Sequence, residues 1–147
     1  MQLEVKTMAE LSEKNITPDF LYWVGSAGSF DDRAKKITRA FVKVLNYANV
    51  SFGVLGVEES TSGDVAKRAG NEFLFQMQAL ANIEVMNSYN IKKIITTCPH
   101  SFNILKNEYP DLGGNYEVYH HSEFVHDLIE SKKITISQNS IDEVITY

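Results

Sequence analysis

Apolar residues enter this chain in two alternating rhythms. Phe20 to Val24 is a short unbroken apolar run ended by Gly25, and after the acidic pair Asp31 and Asp32 come Ala34, Ile37, Phe41, Val44, Leu45 and Ala48 at helical spacing. The pattern predicts a buried strand and then a helix. Val50 to Leu55, closed by Gly56, and then Phe73, Met77, Leu80, Ala81 and Val85 repeat that order with a second strand and a long helix. Ile91 to Thr97 is rich in β-branched residues and leads into Ser101 to Tyr109, helical with Ile104 and Leu105 inward, until Pro110, Gly113 and Gly114 break the segment. Tyr116 to Tyr119 reads as a fourth strand, followed by a helix from Glu123 to Ile129.

Strands alternating with helices predict an α/β fold: a mostly parallel sheet of about four strands with crossover helices on its faces. Beyond Ile129 the texture changes. Ile134 and Ile136 alternate with polar residues, Gln138 to Ser140 is turn-like, and Glu143 to Tyr147 is β-rich again, so a C-terminal β-rich extension is expected. The expected organisation is an N-terminal extension over residues 1–18, one α/β module over 19–136, and a lead-in strand over 137–147. Ending in strand-like sequence suggests that Tyr147 closes a module.

In this topology all strand-to-helix loops lie along one sheet edge, where α/β folds bind ligands. These loops are Gly25 to Phe30, Gly56 to Ala66, Cys98 to Ser101, and His120 to Ser122. Composition narrows what they hold. The chain has 147 residues, 44% hydrophobic and 22% charged, the mix of one globular domain. Fourteen Lys and Arg against nineteen Asp and Glu give a net charge of -5 with no basic stripe, so nucleic acid is not an expected partner. Residues 1–18 carry charges throughout and no apolar run approaches the roughly 18 residues that span a bilayer, so a cytoplasmic protein without a membrane span is expected. The single cysteine, Cys98, excludes an intramolecular disulfide and any four-cysteine metal site built from this chain alone.

Each loop admits two readings. Gly25-Ser26-Ala27-Gly28-Ser29 lies between strand and helix, so its amides form either an anion cradle or a tight turn capped by Ser29 or Asp31. Glu58-Glu59-Ser60-Thr61-Ser62-Gly63-Asp64 offers carboxylates and hydroxyls to a hard cation, or is a solvated acidic loop. Cys98-Pro99-His100-Ser101 puts a thiol at a helix start with His100 nearby, the setting of a reactive thiolate; otherwise Cys98 is an inert core thiol. His120 and His121 are adjacent and cannot share one face of a strand, so one faces the loop cluster while the other caps or packs. A metal site that combines both with Cys98 has no ligand spacing signature.

The loop texts together resemble one family. Tyr22-Trp23-Val24-Gly25-Ser26-Ala27-Gly28-Ser29-Phe30-Asp31, Gly56-Val57-Glu58-Glu59-Ser60-Thr61-Ser62-Gly63-Asp64 running into Lys67-Arg68-Ala69-Gly70-Asn71-Glu72-Phe73-Leu74-Phe75-Gln76, Cys98-Pro99-His100-Ser101-Phe102-Asn103 with Asn107-Glu108-Tyr109-Pro110, and His120-His121-Ser122-Glu123-Phe124 are similar to the cysteine-rich CCG domain of iron-sulfur oxidoreductases. These oxidoreductases resemble the B and D components of heterodisulfide reductase and the iron-sulfur component of glycolate oxidase. The resemblance covers about Phe20 to Ile136. It implies a [4Fe-4S] cluster held by cysteines that correspond here to Ser26, Ser60 or Thr61, Cys98 and Ser101, with His100, His120 and His121 nearby. Only Cys98 is a thiol, and hydroxyl oxygens are poor iron ligands beside thiolates. The expectation is an electron-transfer module of an iron-sulfur oxidoreductase, depleted of ligand cysteines, with a cluster site that this chain has largely lost. Its implied partner is a second CCG module, a redox protein or a second copy. Two other readings stay open, a thiol-dependent enzyme or redox protein using Cys98 and a cluster-free interaction scaffold.

Overall fold

The structure, a computed structural model, describes residues 3–137. The lead-in strand expected over Glu143 to Tyr147 and the turn at Gln138 to Ser140 lie outside the described residues; residues 131–137 form no strand.

Four parallel strands, β1 (Phe20–Trp23), β2 (Phe52–Gly53), β3 (Lys93–Thr96) and β4 (Glu117–His120), form one sheet in the order β2-β1-β3-β4. The register pairs Leu21 with Gly53 and Ile94, and Ile94 in turn with Val118. Each strand sends alternate side chains to opposite faces, so Leu21, Trp23, Ile94 and Val118 enter one core while Tyr22 and Ile95 enter the other. Burial on both faces explains why these strands read as continuous apolar runs.

The second core is closed by α3 (Asp32–Tyr47), through Phe41, Val42, Leu45 and Ala48, and by α7 (His121–Glu130), through Phe124 and Leu128. The first is closed by α5 (Glu72–Ser88), through Phe75, Ala79, Ile83 and Met86. The segment that starts as α6 (Pro99–Asn103) and continues through a wider turn, Ile104–Glu108, into a tight one, Tyr109–Leu112, adds Ile104, Leu105 and Tyr109. The short helices α2 (Gly25–Phe30) and α4 (Asp64–Arg68) belong to the loops described below.

The N-terminal stretch has more structure than its charge suggests. Lys6 and Met8 exchange backbone hydrogen bonds with Val54, which sets Thr7 beside β2. Helix α1 (Met8–Glu13) follows, and Met8 and Leu11 are buried in the first core. Its start carries a sequence signal: the Thr7 hydroxyl accepts from the Glu10 amide at 3.2 Å, and the Glu10 carboxylate accepts from the Thr7 amide at 2.8 Å.

The long helix α5 forms where periodicity predicts it, but it presents the opposite face. Phe73, Met77, Leu80 and Ala81 point to solvent while Phe75, Ala79, Asn82, Ile83 and Met86 are buried; of the five residues that marked the helix, only Val85 packs on the core. Both faces of this helix are apolar, so spacing alone cannot say which one meets the sheet.

Candidate functional site

The chain order reverses between β1 and β3, which makes their carboxyl ends the topological switch point of the sheet. Three loops meet there. Gly25, directly after β1, has φ +78°, a conformation that favours glycine. A methyl group at Gly25 would stand 3.7 Å from Cys98 Cβ and 3.8 Å from Ser101 Oγ, so the first and third loops are in contact at this point. Ser101 is buried and Cys98 is half-buried. Cys98 occupies the cap position before α6, which Pro99 opens, and its amide donates to Thr96 Oγ1 at 3.2 Å. Ser26, Ser60 and Thr61 line a cavity of about 370 Å³ together with Gly25, Ser29 and Glu59. A second, more apolar cavity of about 190 Å³ lies between Gly28, Ile37 and Thr38 on one side and Thr97 and Cys98 on the other.

The amides that lead into the first loop are taken up by the chain itself. Glu59 in the second loop accepts hydrogen bonds from the amides of Val24 at 3.0 Å and Gly25 at 2.6 Å. Burial pushes its carboxyl up to about 7, against the smaller opposing pull of those two amides. The tight-turn reading holds as well: Asp31 caps α3 by accepting from the Ala34 amide at 2.7 Å, and the Ser29 hydroxyl donates to the Gly25 carbonyl at 3.1 Å.

The second loop is bolted from beneath. The buried Asn82 amide on α5 donates to the Thr61 carbonyl at 2.8 Å and to the Tyr109 hydroxyl at 3.1 Å, and Tyr109 donates to the Ser62 carbonyl at 3.1 Å. Burial raises the Tyr109 hydroxyl well above its ordinary pKa, which keeps it a donor. The same loop is tied sideways to the third. Arg68 bridges the Asp64 carboxylate at 3.0 Å and His100 Nδ1 at 3.0 Å. An arginine only donates, so Nδ1 of His100 accepts and the ring proton lies on Nε2.

The histidine pair stands apart from both cavities. His120 ends β4, its Nδ1 pairs with Ser122 Oγ at 2.8 Å, and its ring packs edge-on against Phe102 with centroids 5.8 Å apart. His121 packs on Phe41 of α3 at 5.8 Å and on His120 at 4.3 Å. Burial, and then the neighbouring His120, lower the His121 pKa, so the ring is neutral. Neither histidine lines a cavity at the loop edge, against the expectation that one would: His120 stands at the start of α7 and His121 packs on Phe41. Among the described residues no group of three His, Cys, Asp or Glu side chains is placed to hold a metal ion, and the combination of both histidines with Cys98 does not form.

Sequence comparison places the chain among larger redox proteins. Over 144 residues the chain is 45% identical to the probable iron-sulfur-binding oxidoreductase FadF of Bacillus subtilis, a match that covers 98% of this chain and 20% of that protein. It is 50% identical over 120 residues to the EtfAB:quinone oxidoreductase of Syntrophomonas wolfei, covering 82% of this chain and 17% of the relative. The chain is homologous to a segment of larger oxidoreductases, consistent with the CCG-like module that its loop texts resemble. A third relative is a component of the dihydromethanophenazine:CoB--CoM heterodisulfide reductase of Methanosarcina mazei, 31% identical over 135 residues, which cover 88% of this chain and 32% of that component. The module thus spans between about a fifth and a third of the length of these relatives. No family model matches the sequence, and no solved structure matches it.

The residues at this edge do not fit a four-thiolate cluster. Cys98 is the one thiol among the expected ligand positions, the others being hydroxyls; Cys98 lines one cavity while Ser26, Ser60 and Thr61 line the other, and the amides of Val24 and Gly25 are already satisfied by Glu59. Glu59, Arg68 and Tyr109 stand within the quoted loop texts and Asn82 outside them, but nothing local marks any of the four as organising these loops. Apart from the bond between Arg68 and Asp64 within one helical turn, their partners lie 21 to 47 positions away.

Proposed function

We propose that the chain is a cytoplasmic electron-transfer module of an iron-sulfur oxidoreductase that holds no [4Fe-4S] cluster of its own. The redox centre then belongs to a partner, either a second CCG module or a redox protein, against which this module packs. The observation that carries this reading is the long match to iron-sulfur oxidoreductases combined with a switch-point edge that keeps the family's loops but offers one thiol. In this reading Ser26, Ser60 or Thr61, Cys98 and Ser101 occupy inherited ligand positions. Glu59 supplies in their midst the acceptor oxygens for the amides of Val24 and Gly25. The fold brings the loops to one sheet edge, while electrons pass through the partner's centre.

Anaerobic reconstitution with ferrous iron and sulfide tests both halves of the proposal. The chain as it stands is expected to remain colourless, and the variant Ser26→Cys, Thr61→Cys, Ser101→Cys to gain broad visible absorbance with about four irons per chain. A wild-type chain that takes up a full cluster overturns the cluster-free assignment. A folded triple variant that stays colourless overturns the inherited ligand positions.

A further inference from the structure

The outer face of α5 is apolar where a solvent-facing helix is expected to be charged. Phe73 is 75% exposed, Met77 55% and Leu80 49%, with Leu74 and Ala81 exposed beside them. Spacings of three and four residues put Phe73, Met77 and Leu80 on one stripe. No Lys, Arg or His occurs anywhere in Glu72–Ser88, and the acidic residues Glu72 and Glu84 lie outside the apolar stretch at its two ends. The burial of the opposite face, through Phe75, Ala79, Ile83 and Met86, leaves the stripe no partner among the described residues. Contiguous exposed apolar surface of this kind marks an interaction face.

We infer that a second copy of this chain covers the stripe, with the two α5 helices packed antiparallel about a two-fold axis near Met77. The arrangement is self-complementary, as a two-fold interface must be. Phe73 of one copy meets Leu80 and Ala81 of the other, the two Met77 side chains meet at the axis, and no like charges oppose one another along the stretch. The five side chains offer on the order of 500 Å² per copy, or about 1,000 Å² in total, which reaches the lower bound for a specific interface. A micromolar, concentration-dependent dimer is therefore expected, not an obligate one.

Analytical ultracentrifugation of the intact chain over a dilution series tests this. The expected result is a reversible monomer–dimer equilibrium that Met77→Lys and Leu80→Lys each weaken by about ten-fold or more. Both positions are exposed, and unchanged circular dichroism and melting at low concentration separate loss of association from loss of fold. In a Cys98→Ser background, Met77→Cys is expected to form a disulfide-linked dimer on mild oxidation, because the axis brings the two positions together. A wild-type chain that stays monomeric up to on the order of 100 µM overturns the inference, and would leave the stripe to a different partner. A dimer that persists through both lysine substitutions, or a Met77→Cys variant that does not cross-link, overturns the assigned surface.

Discussion

Helices α3 and α5 do the same structural work on opposite sides of one sheet, yet their sequences solve it differently. On α3 the inward residues Phe41, Val42 and Leu45 are backed by Arg33, Lys36, Arg39 and Lys43, all exposed. On α5 the inward residues Phe75, Ala79, Ile83 and Met86 are backed by Phe73, Met77 and Leu80. Amphipathic periodicity identifies a buried face only when the two faces differ, which holds for α3 and fails for α5. The helices differ inside as well. α5 spends a buried position on Asn82, whose amide holds the site loop at Thr61, whereas the buried Asn46 Nδ2 of α3 has no hydrogen-bond partner among the described residues. One helix covers the sheet, and the other also positions the loop edge.

The largest expected effect checks that burial, and not the polarity of the outer face, sets each helix's contribution. Leu45→Ala on α3 and Phe75→Ala on α5 are each expected to cost about 3–5 kcal/mol in urea unfolding. A cost below about 1 kcal/mol for Phe75→Ala would reverse the assigned face of α5 and dissolve the contrast.

Next comes the asparagine pair. Asn82→Ala strands the part-buried Thr61 carbonyl and removes a partner of Tyr109, so a loss of about 2–3 kcal/mol is expected, while Asn46→Ala removes an amide nitrogen that bonds nothing among the described residues and should cost about 1 kcal/mol or less. Equal costs for the two would mean that the Asn82 bolt is not selectively worth its buried position.

Glu59 sharpens the contrast at the loop edge through pH. Its carboxyl sits at about 7 when folded, against an ordinary value of 4.5, so between these values the native state binds the extra proton. Stability contributed by Glu59 is therefore full below about 4.5, falls as pH rises toward 7 and is flat above it. Glu59→Gln is expected to remove a slope amounting to about 1–3 kcal/mol across that window, read from denaturation at a series of pH values. An unchanged slope would place the titrating group elsewhere.

The smallest effects belong to the outer faces. At concentrations low enough to keep the chain monomeric, Lys43→Ala on α3 and Met77→Lys on α5 are each expected to change melting stability by no more than about 0.5 kcal/mol. A large loss for Met77→Lys under those conditions would show that its side chain supports the fold, not an interface.

Much of this architecture is legible from local pattern. The four strands and the long helices lie where apolar runs and 3.6-residue spacing predict them, because burial of a strand on both faces and of a helix on one leaves a short-range imprint. The start of α1 is legible too, in Thr7 and Glu10 three residues apart, although a charged segment hides it. At the site, the loop texts locate the edge and the single thiol, but the expectation that one of the adjacent histidines faces the loop cluster is not met, since neither lines a cavity there.

What the sequence determined by itself is therefore the α/β class, the elements and the kinship of the loops to iron-sulfur oxidoreductases, since each depends on neighbours within a few positions or on a long ordered text. Tertiary structure alone decided which face of α5 turns inward, because two similar faces compete for the core and only packing against Trp23 and Ile94 selects one. It alone decided that the amides after β1 are taken up by Glu59, 34 positions downstream of Gly25, and that Asn82 and Tyr109 hold the loop beside them. Hydrogen bonds over such separations obey no periodicity; they exist only once the sheet order brings the strand ends together.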